Sequence, residues 1–229
     1  MIFRSGVFSR RPDLPLHKFT KHWVEGHGPL AGELPEMHAY FQHHIVERIY
    51  ESTPFPGDHP IDGLSQLWWD DVAAMERAEV SPEYAACKID LPKFQGTITV
   101  LVLATAAQWK APKQVEGEAS SRLMVLTQLP QDSDGKRLDP AAMEEALRVA
   151  MTPGVKKAYQ YEVVDRAHPV KAGLGSGQSP VSGWTEIVFE NDEAISAWLK
   201  SSQAKEFTQH HPSGPLMAIY RIMRYTIKE

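Results

Sequence analysis

The chain has 229 residues, 42% hydrophobic and 23% charged, with a net charge of −5, so it is an ordinary globular sequence able to bury its own core without staples. No run of Lys and Arg is long enough to follow a phosphate backbone, which argues against nucleic acid as a partner, and the lone Cys87 excludes an internal disulfide framework. No apolar stretch has the pattern of a signal-peptide core or the length of a membrane span, so a cytoplasmic protein with no membrane partner is expected.

In chain order, residues 2–8 read as a strand. In LHKFTKHWVEGHGPLAGEL, Leu16, Phe19, Trp23, His27, Leu30 and Leu34 recur at three- and four-residue steps, which predicts one helix with a single buried stripe, stopped by Pro35. Residues 40–46 follow as a strand, with Tyr40, Gln42 and His44 on one face and Phe41, His43 and Ile45 on the other. A loop rich in proline and glycine occupies 51–62. Then come a strand at 64–69, a helix capped by Asp70 or Asp71 and ending near 78, a second helical piece at 82–88, and the apolar, β-branched strand 97–105. This order, βαββαβ, is the split-βαβ or ferredoxin-like unit.

Residues 108–121 are polar and aperiodic, as in a linker. Beyond them the order returns: strand 122–129, helix 140–151, strand 155–165, loop 166–182, strand 183–189, helix 192–200, strand 216–227. At a shift of 118, QHHIVER (42–48) falls on QYEVVDR (160–166); at a shift of 120, DGLSQLWWDD (62–71) falls on SGWTEIVFEN (182–191). Two strand matches at nearly constant offset, on matching elements, indicate a duplication. The expected fold is therefore α+β: a first repeat at 1–107, a linker at 108–121 and a divergent second repeat at 122–229, with the two antiparallel sheets packed into one α+β barrel. One chain then does the work of a dimer, and whether the fused chain pairs again as a homodimer is open.

His27 on a buried stripe is either a core histidine bonded to backbone or a general acid–base. Tyr40 either fills the core or donates to a developing oxyanion. His44 shares the face of Tyr40 and is preferred to His43 as a third member. The ten histidines show no HExxH, His22 and His27 lie about 140° apart on an α-helix, and His210 and His211 sit in a loop, so no protein-bound metal is expected. Gly173, Gly175 and Gly177 lie between two strands with no helix opening after them, which argues against a dinucleotide site and for a mobile loop. Trp23, Trp68 and Trp184 are core residues or walls for a flat substrate. Among the strand-placed cations Arg4, Arg48, Arg221 and Arg224, any one can hold a carboxylate; Arg48 and Arg221 are chosen as substrate-binding, with Tyr161 of the second repeat as a further wall.

The text SRRPDLPLHKFTKHWVEGHGPLAGELPEMHAYFQHHIV, followed by DGLSQLWWDD and SPEY, resembles the EthD-like branch of the dimeric α+β barrel superfamily over about residues 4–95. Relatives include muconolactone methylisomerases and other small cofactor-free enzymes acting on lactones, aromatic acids and polyketide-like compounds. The resemblance implies proton transfer by His27 and Tyr40. Where the methylisomerases carry a Cys before the third-strand aromatic pair, this chain has Leu67, so a thiol-dependent step is not implied.

The expected function is thus a cofactor-independent lyase or isomerase of a small aromatic or lactone-type acid: a decarboxylation, dehydration or double-bond shift. His27 moves the proton, and Tyr40 and His44 stabilise the oxygen-centred charge inside a closed chamber made by the two half-barrels. The alternatives are a cofactorless monooxygenase of phenolic compounds and a non-catalytic carrier of an aromatic ligand or haem.

Overall fold

The computed structural model describes residues 1–111, 121–128, 139–169 and 174–229. In the first half, β1 (Ile2–Arg10) leads to α1 (Leu16–Lys21), a single π-helical turn (His22–His27) and α2 (Gly28–Gly32). Then follow β2 (Ala39–Glu51), β3 (Gly63–Trp69), α3 (Val72–Ala78), α4 (Pro82–Asp90) and β4 (Gln95–Lys110). The second half runs β5 (Ser121–Gln128), α5 (Pro140–Val149), β6 (Val155–Asp165), β7 (Val181–Phe189), α6 (Asp192–Leu199), α7 (Ser202–Gln209) and β8 (Leu216–Lys228). The strands on either side run into the segment 108–121, and 112–120 lie outside the described residues.

All eight strands close into one antiparallel barrel in the order β1-β3-β2-β8-β5-β7-β6-β4. Each half keeps the ferredoxin-like order, β4-β1-β3-β2 and β8-β5-β7-β6, and the two seams, β2 with β8 and β4 with β6, are equivalent under the repeat. Closure removes the free edges that each half would otherwise expose. The duplication also shows in the caps: Asp71 and Asn191 accept from Ala74 and Ala194 N–H, and Ser81 and Ser201 accept from Tyr84 and Ala204 N–H. Ser201 opens α7, a helix absent from the sequence reading although its cap repeats Ser81 at the shift of 120. Where the loops meet, Asp58 and Gln178, again 120 apart, exchange backbone and side-chain bonds of 3.1 and 2.9 Å.

Strand alternation sorts the core into layers. Phe3, Val7, Leu64, Leu101, Met124 and Trp184 fill the barrel interior, contributed by both halves. Arg4, Phe8, Tyr40, Leu67 and Val102 face outward beneath the helices of the first half, and Leu123, Val125, Ile187 and Phe189 do so beneath those of the second.

The first helix is not one regular helix. Pro29 has no N–H to give the Glu25 carbonyl and its ring would clash there, so the chain widens by one residue ahead of it and Gly28 N–H bonds to the Trp23 carbonyl. The extra residue moves the buried stripe from the expected Leu30, which is 37% exposed, to Ala31. Leu16 is exposed as well, while Phe19, Trp23, His27 and Leu34 are buried as expected.

Candidate active site

Between the first-half sheet and its helices lies a cavity of about 40 Å³, with Arg4, Tyr40 and Ser65 from the strands and His27, Tyr84 and Leu91 from the helical side. That volume holds about three or four waters at about 10–15 Å³ each. The chamber therefore lies outside the barrel wall, within the first repeat, and not between the half-barrels as the sequence reading expected. The reason is pleat parity: Tyr40, Gln42 and His44 point together, but toward the helices, while His43 points into the barrel.

His27 is buried, and its Nδ1 lies 3.1 Å from Asp90 Oδ2 at the end of α4. The same carboxylate lies 3.1 Å from His22 Nε2 and 3.1 Å from Lys93 Nζ. The hydrogen bond from His27 first, then Lys93 and His22, holds the Asp90 carboxyl well below the usual carboxylate range despite its burial. An ionised Asp90 accepts from His27 Nδ1–H, so Nε2 is the basic nitrogen, on the side of the ring away from Asp90. Burial lowers the His27 pKa and Asp90 only partly offsets it, so the ring is neutral at pH 7.

Tyr40 supplies the complementary group. Its hydroxyl accepts from Trp23 Nε1–H and from Gln42 Nε2–H, both at 3.0 Å, which leaves its own proton to donate. Burial pushes the phenol pKa far up, so Tyr40 is a neutral donor polarised by two others. Gln42 also donates to the Trp23 carbonyl at 2.8 Å. His44 Nε2–H donates to Gln42 Oε1 at 3.1 Å and fixes which way that amide points. His44 itself is wedged between Trp23 and Tyr225, with ring centroids 4.2 and 4.8 Å away, and burial lowers its pKa to about 3. It positions Tyr40 through Gln42 and does not touch the cavity, so the direct charge-stabilising role expected of it is corrected. Gly63 makes the arrangement possible, because a Cβ there would sit 2.5 Å from Trp23 Cζ3.

A cation also faces the chamber. Arg4 donates from Nη2 to the Tyr84 hydroxyl at 3.1 Å, with Nε 2.9 Å from Glu79, and Glu79 in turn lies 2.8 Å from His168 of the second half. The expected substrate-binding residues divide. Trp23 lines the cavity. Trp68, Tyr161 and Trp184 pack on Phe3 inside the barrel at 4.6, 5.0 and 5.5 Å and cannot wall a substrate at His27. Arg48 is spent on Glu51 and Asp62 on the side of β2 away from the chamber, and Arg221 on Asp192 and Glu47 at the surface. Arg4, Tyr84 and Ser65 on the cavity, and Asp90 behind His27, are groups that the site reading lacked; of these only Arg4 carried a signal, as one of the strand-placed cations.

Among the described residues no group of three or more His, Cys, Asp or Glu is placed to hold a metal ion, and no helix is long and apolar enough to cross a membrane. Gly173 lies outside the described residues. Gly175 and Gly177 bond to Ile98 on β4 at 3.0 and 3.1 Å, so that loop is docked on the barrel.

Residues 11–97 match the family model of the EthD domain. A search of curated protein sequences gives no match. Among solved structures, an anthrone oxidase-like protein matches at 12% identity with a TM-score of 0.61, over 100% of this chain and 93% of that one. Two more are each described as a "putative monooxygenase". The one from Lactobacillus acidophilus NCFM has 12% identity and a TM-score of 0.53, over 98% of this chain and 94% of the other. The one from Fusobacterium nucleatum has 9% identity and a TM-score of 0.54, over 99% and 92%. At such identities these likenesses establish the fold, a pair of ferredoxin-like units closed into an α+β barrel.

Proposed function

We propose, on the premise that residues 11–97 are an EthD domain, that the chain is a cofactor-free oxygenase of an activated phenolic compound, started by proton abstraction at His27. The observation that carries this reading is the His27–Asp90 pair on the cavity that Tyr40 also lines: a neutral imidazole with its free nitrogen turned from an ionised carboxylate, and a hydroxyl with its proton to give. The anthrone oxidase-like and monooxygenase-like neighbours support the oxygenase class over the lyase or isomerase expected from sequence.

In this reading His27 Nε2 takes a proton from the carbon activated by the phenol, while Tyr40 and the Arg4 cation stabilise the oxyanion that develops. The resulting enolate is electron-rich enough to reduce dioxygen, the co-substrate. One oxygen atom replaces two hydrogens of a ring methylene as a carbonyl, and the other leaves as water. Because the closed cavity holds only a few waters, substrate entry opens the helical wall, and reclosure removes water from the reacting carbanion.

The test is oxygen uptake with hydroxylated anthrone-type substrates. One dioxygen consumed per product, abolished in His27→Ala, is the expected result. Turnover of the same compounds at equal rate without oxygen overturns the oxygenase and leaves the lyase or isomerase, which shares only the first step. Binding without turnover in the intact chain leaves the carrier.

A further inference from the structure

The polar groups on the His27 chamber are unevenly matched. Tyr40, Tyr84 and Ser65 each use the hydroxyl oxygen as an acceptor: Tyr40 from Trp23 and Gln42, Tyr84 from Arg4, and Ser65 from the Gly6 N–H. Among the described residues none of the three gives its own proton to a protein acceptor. Together with the Arg4 guanidinium they make the lining rich in donors. Burial pushes the Cys87 thiol up to about 11, so that group adds no anionic acceptor. Two acceptors face the donors: His27 Nε2, which the chemistry uses as the base, and the side-chain carbonyl of Gln95.

Gln95 opens β4 opposite Arg10 and is 5% exposed, and its Oε1 is buried with no hydrogen-bond donor. A buried acceptor left unmatched costs free energy that an apolar side chain of the same shape would not incur. The residue lies toward the His27 end of the chamber. Phe94, just before it, packs on the His27 ring with centroids 5.0 Å apart, and Leu91, on the same wall, follows Asp90, the His27 partner. Tyr84, which accepts from Arg4, comes seven residues before Leu91 along α4 and its C-cap, about 10 Å away at about 1.5 Å per residue. A donor end, Arg4 with Tyr84, and an end holding an idle acceptor thus face each other past the apolar walls Leu34, Leu67 and Ile98.

We infer that Gln95 sets substrate choice: its side-chain carbonyl accepts a hydrogen bond from a substrate hydroxyl at the His27 end, while Arg4 and Tyr84 hold a second oxygen at the other. This rests on the reading that substrate occupies the His27 chamber, and it adds the substrate class, a fused-ring polyphenol with oxygen at both ends. A phenol with a single oxygen leaves the amide carbonyl unmatched in a closed site and is rejected for that reason.

The probe is the naphthalene diol with one hydroxyl at each end of its two rings, which has no ring methylene to oxidise, titrated calorimetrically against the full chain. The controls are β-naphthol, which lacks one hydroxyl, and the monomethyl ether of the diol, which lacks only the proton of one. The diol should bind about tenfold more tightly than either control, the worth of one hydrogen bond. In Gln95→Met that advantage should shrink to within twofold, with β-naphthol bound as in the parent. The assignment is overturned if the diol does not saturate, if the ether matches the diol in the parent, if Gln95→Met keeps the advantage, or if His27→Ala alone loses it. Oxygen uptake decides the oxygenase separately: an advantage abolished by Gln95→Met stands where no oxygen is consumed, and oxygen consumption stands where Gln95→Met changes nothing.

Discussion

His22 and His27, five residues apart, both reach the one carboxylate of Asp90, each with a ring nitrogen 3.1 Å from it. On an α-helix that spacing turns the two rings about 140° apart. On the π turn enforced by Pro29 they stack on one face. The irregularity of the helix is thus what gives His27 a charged partner.

From this pair follows the effect of Asp90→Asn. Losing the carboxylate removes the acceptor that fixes the His27 tautomer, and kcat should fall by about 10²- to 10⁴-fold, the usual worth of a positioned base. KM should change little. Steady-state kinetics on the folded variant check this, and a kcat within threefold of the parent would refute the role of Asp90.

The pH dependence has a definite sign. His27 must be neutral to act, and burial lowers its pKa below 6.5, so kcat/KM should be flat at neutral pH and fall on acidification with an apparent pKa below that value. Asp90 raises the His27 pKa, so in Asp90→Asn the acid limb should move to still lower pH. A limb displaced upward in that variant contradicts the assignment.

Tyr40→Phe keeps the ring in the core and removes the donor. A loss of about 10²-fold in kcat is expected from one missing donor to a developing oxyanion, together with about 1–3 kcal/mol of stability, because the buried Trp23 Nε1–H loses its acceptor. His44→Gln should act more weakly than Tyr40→Phe, because it disturbs only the Gln42 amide that bonds to Tyr40. Equal losses in the two variants would place His44 in contact with substrate.

Gly63→Ala would put a methyl 2.5 Å from Trp23 Cζ3 and 2.8 Å from Cη2. Overpacking of this kind costs about 1–3 kcal/mol, and the displaced indole would release Tyr40. Denaturant unfolding and kcat should therefore fall together. A fully stable variant with unchanged turnover would show that Trp23 does not position Tyr40.

Global stability should drop on mild acidification. Burial lowers the pKa values of His43, His44 and His211 to about 4, 3 and 3. Each ring binds its proton more readily when unfolded, so the stability it contributes is full above about 6.5 and is lost as pH falls toward the folded values. Three such rings give a slope of roughly 4 kcal/mol per pH unit between about pH 6 and 4.5. Urea titrations across that range measure it, and a flat profile would mean the rings are solvated.

Much of the fold was legible in sequence because it rests on local periodicity and on the repeat. The offsets of 118 and 120 located equivalent strands, and the closed barrel pairs β2 with β8 and β4 with β6 as that symmetry requires. The shared face of Tyr40, Gln42 and His44 also followed from strand alternation alone. What alternation cannot tell is which face looks outward, and this misplaced the chamber and drew Trp68, Tyr161 and Trp184 into it. Asp90 was invisible for a different reason: it lies 63 residues from His27, at the end of a helix whose own pattern marks it only as an acidic terminus.

The link from Arg4 through Glu79 to His168 carries one consequence for how this molecule can vary. In a pair of identical subunits every change is made twice, once on each side of the axis. Here a substitution at His168 alters the support of Arg4 beneath the first-half cavity, while among the described residues the matching layer of the second half holds Trp198 and Phe207. Joining the halves on one chain lets a residue of the second support a group of the first without a matching change on the other side of the axis.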